Sequence, residues 1–284
     1  MTEKAETWTT LKVLTWTKEY LSGKGVENAR LEAEWLLCEA LSLDRVGLYL
    51  NFDKPLSDAE LATFRQMVAR RAKREPLQHI LGTQEFMGLE FRVSPAVLIP
   101  RHDTETLLQE ALRVASKAAT VLDIGTGSGC VAIALAKSLP EAAVVSVDIS
   151  AAALELASQN AALNGVQVDF RHGSIFEPVA GERFDLIVSN PPYIPTADLA
   201  GLEPEVRDFE PRTALDGGVD GLDFYRQIAS EAPQHLAAQG WLLVEIGIGQ
   251  GAQVKELFAS AGFSAIFTAN DPGGIERVVG GQLI

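Results

Sequence analysis

Asn190-Pro191-Pro192-Tyr193 closes an apolar run, residues 184–189, and its residue types suit one kind of chemistry. A planar NH2 group, as in a carboxamide or an aromatic amine, is a weak nucleophile because its lone pair is delocalised. Two acceptors that take both of its N–H protons would hold the nitrogen and favour charge building on it. The Asn190 side-chain oxygen and the Pro191 carbonyl are suited to be those acceptors. Neither Pro191 nor Pro192 carries an N–H and both have a fixed φ, so the turn is stiff and offers carbonyls without competing donors. Tyr193 adds a flat face against which a planar group can pack. Taken alone, the tetrapeptide is equally compatible with an ordinary proline-rich turn after a strand.

A second motif bears on that choice. The apolar residues 121–124 run into Gly125-Thr126-Gly127-Ser128-Gly129, and the alanine-rich stretch 130–136 follows. Glycines are needed where backbone approaches a ligand closely or adopts positive φ. Such a strand-to-helix turn is common to many nucleotide sites, and its spacing departs from the dinucleotide fingerprint, which wants a third glycine where this chain has Cys130. Residues 143–148 read as a second strand ending in Asp148, 19 residues after Gly129. A carboxylate there can accept hydrogen bonds from both hydroxyls of a ribose. It can also cap a helix starting near Ser150.

The order of glycine turn, acidic strand end and Asn-Pro-Pro-Tyr after the fourth strand resembles the class I methyltransferases, which use S-adenosyl-L-methionine and act on planar amino groups. Within them, residues 98–105 (Leu-Ile-Pro-Arg-His-Asp-Thr-Glu) are similar to the stretch preceding the catalytic domain of peptide chain release factor N5-glutamine methyltransferases. Residues 210–222, with Asp216-Gly217-Gly218-Val219-Asp220-Gly221 at their centre, are similar to a second signature of that family. The likeness covers nearly the whole chain, with one departure at His102, where the family usually has proline. It implies an α/β fold: a seven-stranded, mostly parallel class I methyltransferase (Rossmann-like) sheet with a small N-terminal helical domain. It implies methyl transfer to the side-chain amide nitrogen of the glutamine in the Gly-Gly-Gln motif of class I release factors, modulating translation termination. Gly125, Thr126, Gly127, Ser128 and Gly129 would pass close to the methionyl part of the cofactor, and Asp148 would hold its ribose. Ser174 and Ile175 match positions beside the adenine, Ile175 being equally suited to plain core. Asn190, Pro191, Pro192 and Tyr193 would be the catalytic residues, with Asn190 also facing the cofactor, and no metal is implied.

These residues need elements to position them. Residues 1–85 read as a helical, substrate-docking domain, 86–104 as a β-hairpin linker, and 105–284 as the methyltransferase domain. In the first, Trp8, Leu11 and Leu14 form an apolar stripe, residues 29–41 a helix with Ala33, Leu36, Leu37 and Ala40 on one face, and Ser57 with Glu60 a capping box. Leu61, Phe64 and Val68 continue that helix until Pro76 ends it. Period-two spacing over 84–99 suggests the hairpin. Strands are expected near 120–124, 143–148, 166–171, 184–189, 241–246, 263–269 and 276–281, alternating with helices. Residues 194–222 read as a long acidic loop, a lid or docking surface.

The 24 Lys and Arg against 38 Asp and Glu, net charge −14, argue against a chain whose main partner is duplex nucleic acid. The dense cluster Arg70, Arg71, Lys73, Arg74 is either a cationic helix end or a docking patch. Two cysteines, Cys38 and Cys130, and a polar start over residues 1–6 suit a cytoplasmic protein with reduced thiols. No run reaches membrane-spanning length. The rival reading is an N6-adenine or N4-cytosine methyltransferase of DNA or RNA, since a base amine presents the same planar NH2. Gly280-Gly281-Gln282 repeats the family's target tripeptide and reads as a coincidence within a final strand.

Overall fold

The structure, a computed structural model, describes residues 7–284; the polar start, residues 1–6, lies outside the described residues. The chain forms two compact units, one of residues up to 82 with 203–209, the other of residues 83–202 with 210–284.

The first unit is helical: α1 (Thr10–Ser22), α2 (Ala29–Leu41), α3 (Arg45–Leu50), α4 (Asp58–Arg71) and α5 (Leu77–Leu81). Val13, Leu14, Thr17 and Leu21 turn inward from α1. Leu11, expected inside, is exposed, because it lies roughly 100° around the helix from the centre of that face. Ala33, Leu36 and Leu37 of α2 meet Phe64 and Val68 of α4 in one core. The capping box is present: Ser57 Oγ accepts from Glu60 N, and Glu60 accepts from Ser57 N at 2.7 Å.

The second unit opens with a hairpin, β1 (Thr83–Phe86) and β2 (Leu89–Arg92), turned by Met87 and Gly88, both at positive φ as a two-residue hairpin turn requires. It is shorter than the expected 84–99. Asn160 takes over the pairing at its end, accepting from Arg92 N at 2.8 Å and donating to Arg92 O at 3.0 Å. Then follow α6 (Thr104–Val114), β3 (Thr120–Ile124), α7 (Cys130–Ser138), β4 (Ala143–Asp148), α8 (Ala151–Asn164), β5 (Asp169–His172) and β6 (Phe184–Ser189). After β6 comes the short α9 (Pro204–Arg207), then α10 (Asp223–His235), β7 (Leu236–Glu245), α11 (Gly251–Ser260), β8 (Phe263–Asn270) and β9 (Glu276–Leu283).

The seven strands β3 to β9 form one sheet in the order β5-β4-β3-β6-β7-β9-β8, parallel up to β7 and antiparallel across β9 and β8. Both faces are covered, which is why the strands read as nearly continuous apolar runs. Leu122, Val145, Ile187 and Leu242 face α10 and α11, while their neighbours Val121, Val144, Leu186 and Leu243 face α6 and α7. β5 begins later than expected, because Val166 and Val168 pack against a core cluster without joining the ladder. β7 starts earlier, its pairing with β6 shifting between Phe184 and Leu186 with Gln239 at positive φ. In β9, Cβ atoms at Gly280 and Gly281 would fall 2.4 Å from Phe267 and 2.9 Å from Phe258, so packing accounts for this glycine pair.

The stretch 194–222 is ordered, not a bare loop. Ile194 N bonds Leu215 O, Gly217 N bonds Ile194 O, and Thr196 Oγ1 bonds Asp216 at 2.6 Å. Its segment 203–209 belongs to the helical unit. There Arg71 pairs with Glu32 and, at 2.9 Å, with Glu205; Arg74 reaches Glu205 at 2.7 Å and Glu203 at 3.1 Å; Arg70 pairs with Glu75 at 2.6 Å. The arginines of the basic cluster are thus matched by the chain's own carboxylates.

Candidate active site

The chain leaves β3 towards β4 and returns on the other side of β3 as β6. Loops from the carboxyl ends of β3 and β6 therefore diverge, and a crevice opens between them. It is a cleft of about 680 Å³ within the second unit, a size that suits a nucleoside-bearing ligand. Gly125, Thr126, Gly127 and Ser128 line it from the turn after β3, Asp148 from the end of β4, and Ser174 with Ile175 from beyond β5. Asn190, Pro191 and Pro192 line it from the end of β6. Gly129 and Tyr193 are not among the lining residues.

The glycines divide their duties. At Gly129 (φ 84°) a Cβ would come within 2.8 Å of Ile133 and 3.0 Å of Ala157, so this glycine lets α7 and α8 pack. At Gly127 (φ 53°) nothing stands within 4 Å of where a Cβ would be, which leaves bare backbone at the cleft wall. Asp148 accepts from Gly127 N at 2.9 Å and from Ser150 N at 2.8 Å. The cap of α8 is Ser150, whose hydroxyl accepts from Ala153 N, so Asp148 is released from that duty and keeps spare lone pairs.

Asn190 donates from Nδ2 to Thr104 Oγ1 at 3.1 Å, and its Oδ1 makes no hydrogen bond within the described residues. Tyr193 braces the turn from behind. Its hydroxyl lies 3.5 Å from Glu245, its carbonyl accepts from Gln250 Nε2 at 3.0 Å, and its ring packs on the core. Cβ atoms at Gly217 and Gly221 would fall 2.7 Å from Tyr193 Cα and 2.3 Å from its carbonyl oxygen. The Gly-Gly-Val-Asp-Gly signature is therefore a backbone bed for this turn. The Tyr193 ring, expected to offer a flat face to the substrate, does not line the cleft, whereas Pro191 and Pro192 do. The two family-like stretches are joined by Arg101, 2.8 and 2.7 Å from the two oxygens of buried Glu210, which also accepts from Ile99 N. His102 is exposed, 3.4 Å from Glu105, and sits before α6 begins.

Two further cleft-lining residues, Asp123 and Thr104, were not singled out from the sequence, although a carboxylate inside an apolar strand is itself a signal. Asp123 lines the cleft and accepts from Ser146 Oγ at 2.7 Å, with Thr126 Oγ1 2.6 Å from the same hydroxyl. Burial pushes its carboxyl up to about 7, aided by the charge of Asp148 and opposed by the Ser146 hydrogen bond. Burial likewise pushes the Cys130 thiol up to about 12, so this cleft residue is a neutral thiol and not a nucleophile.

The chain matches two family models, the PrmC N-terminal domain over residues 12–82 and the methyltransferase small domain over residues 102–200. It is 65% identical over 283 residues to a release factor glutamine methyltransferase of Geobacter sulfurreducens, covering 100% of each chain. It is 44% identical to one of Xylella fastidiosa, covering 89% of this chain and 93% of that one. A methyltransferase from Pyrococcus furiosus has the same fold, with a TM-score of 0.52 at 19% identity over 75% of this chain and 98% of that chain. The chain belongs to the release factor glutamine methyltransferase family.

Proposed function

We propose that this protein transfers a methyl group from S-adenosyl-L-methionine to the side-chain amide nitrogen of the glutamine in the Gly-Gly-Gln motif of class I release factors, in the cytoplasm. The observation that carries the reading is one cleft in which the glycine turn, Asp123 and Asp148 meet an Asn-Pro-Pro turn with a free Asn190 Oδ1. The relatives named for release factor glutamine support the substrate. Methylation of a nucleic acid base would need a cationic cradle, whereas Arg70, Arg71 and Arg74 are matched by the chain's own acids.

The residues fit this donor. Gly127 leaves open space at the wall, Asp148 has lone pairs for ribose hydroxyls, and Ser174 and Ile175 offer a polar group and an apolar wall for the adenine. Bound there, the donor supplies a methyl carbon activated by its sulfonium, and the C–N bond forms as the S–C bond breaks. Asn190 Oδ1 and the Pro191 carbonyl take the two N–H groups of the glutamine amide and orient its lone pair. The stiff Pro191-Pro192 segment keeps those acceptors fixed while charge builds on the nitrogen. That nitrogen becomes acidic only as the new bond forms, so its proton leaves late, to water.

A cation in the cleft favours the ionised form of Asp123. Its carboxyl, held at about 7 in the free protein, should therefore drop on loading and release a proton. Donor affinity should rise with pH up to about 7 and fall below it, by at most about tenfold per pH unit for one proton. Calorimetry in two buffers of different ionisation heat would reveal the released proton. Equal heats, with affinity flat from pH 6 to 8, would contradict it.

The function itself is tested with labelled donor offered to an isolated class I release factor, to the same factor with its Gly-Gly-Gln glutamine replaced, and to DNA and RNA. Label on the intact factor alone is expected. Label on nucleic acid, or equal label on both factors, would reject the reading.

A further inference from the structure

Gln250 stands between the end of β7 and the start of α11, and its side chain makes no cap bond to that helix. It turns inward instead and is 9% exposed. Its Nε2 donates to the Tyr193 carbonyl at 3.0 Å and to the Gly221 carbonyl at 3.3 Å. Its Oε1 accepts from Gly247 N at 2.9 Å, with the Tyr225 hydroxyl 3.3 Å away. One carboxamide thus joins the turn after β6, the glycine-rich loop before α10 and the loop after β7.

A carboxamide has two protons to give at one end and two lone pairs at the other. Both Nε2 protons go to carbonyls, which can only accept, and Gly247 N can only donate. The side chain therefore cannot reverse: turned end for end, Oε1 would face two carbonyl oxygens and the NH2 would face an N–H. Glycines make the room for it. A Cβ at Gly247 would come 2.8 Å from Oε1 and 3.0 Å from the Tyr193 ring, and one at Gly221 would come 2.8 Å from Nε2.

What Gln250 holds is the turn that carries the proposed acceptors. Pro191 and Pro192 have no N–H with which to tie that turn down. Its downstream end is tied by Tyr193 O to Gln250, by Ile194 N to Leu215 O at 3.0 Å, and by Gly217 N to Ile194 O at 2.9 Å. Of these ties, the one at Tyr193 O lies nearest the Pro191 carbonyl along the chain. Gln250 is not among the residues lining the cleft, so it acts through the turn.

We propose that Gln250 is a positioning residue for methyl transfer: by clamping the Tyr193 carbonyl it fixes the Pro191 carbonyl oxygen where the substrate amide must be met. This rests on the function proposed above. Small shifts of the turn are enough to matter, since a misplacement of about 1 Å costs about 100-fold in rate.

The test is single-turnover transfer from labelled S-adenosyl-L-methionine, at saturating donor, to a class I release factor, for wild type, Gln250→Met and Gln250→Glu. Donor affinity is measured alongside by calorimetry. The Ile194 backbone amide, which shares its peptide group with the Tyr193 carbonyl, is followed by NMR. Gln250→Met keeps the length and loses every hydrogen bond. Gln250→Glu keeps the shape and the acceptor for Gly247 N, but when ionised it has no proton for the two carbonyls. Both are expected to slow transfer roughly 10- to 50-fold, with donor affinity within about twofold of wild type, and to shift the Ile194 signal. A space-filling role would leave Gln250→Glu at the wild-type rate, and that result would overturn the proposal. So would a loss of rate matched by an equal loss of donor affinity, which would make Gln250 a support of the cleft at large. Should one variant fail to fold, the other decides by the same readings. If wild type leaves the release factor unlabelled, the proposed function fails, and the Ile194 signal still judges the clamp: unmoved in the variants, it overturns it.

Discussion

Asn190→Ala should lower the rate of methyl transfer about 100- to 1,000-fold while leaving donor affinity nearly unchanged. The estimate follows from removing one fixed hydrogen-bonding partner of the reacting group, about 2.7–4 kcal/mol of transition-state stabilisation. The backbone turn should survive, because its stiffness comes from Pro191 and Pro192 and from the packing of Tyr193 on Gly217 and Gly221. Asn190 donates only to Thr104, so the substitution leaves one hydroxyl with a lost donor and no buried charge exposed. Single-turnover kinetics with a release factor, paired with donor calorimetry, would check it. Near-normal turnover in this variant would remove Asn190 from the acceptor role.

Asp148→Ala should act at the other end of the cleft and weaken donor binding about 100-fold, the size of losing charge-assisted hydrogen bonds worth about 1.5–3 kcal/mol each. Two effects combine. Gly127 N loses its acceptor at 2.9 Å, which loosens the turn, and the spare lone pairs offered to the ribose are gone. The start of α8 should persist, since Ser150 caps it independently. The rate at saturating donor should change far less than the affinity. Calorimetry giving wild-type affinity would reject the ribose assignment.

Much of the fold is legible in the sequence because the physics is local. Residues 120–124, 143–148 and 184–189 are apolar runs bounded by turn residues, and they are strands with those limits. The glycine turn and Asp148 stand at consecutive strand ends, so alternation of helix and strand is enough to bring them to one edge of the sheet. What escaped depends on long-range partners. Thr104 and Asn190 are 86 positions apart, Arg101 and Glu210 are 109, and Arg71 and Glu205 are 134. No periodicity announces such pairs. The order of the stretch 194–222 escapes for the same reason: it comes from Ile194 pairing beside Asp216 and from Arg71 and Arg74, at and just beyond the end of α4, not from local propensity. Tyr193 shows the converse limit, since residue type gives a flat face but not the direction in which it points.

Asp123 and Glu245 share a lesson about buried carboxylates. Burial pushes each carboxyl up to about 7, and each sits at or next to the end of a strand.

The most direct test is a crystal structure of the protein with S-adenosylhomocysteine and a Gly-Gly-Gln peptide in the cleft. The glutamine amide nitrogen should lie about 2.7–3.2 Å from both Asn190 Oδ1 and the Pro191 carbonyl oxygen, with its lone pair facing the sulfur. An amide held elsewhere, or turned so that its oxygen faces Asn190, would contradict the account.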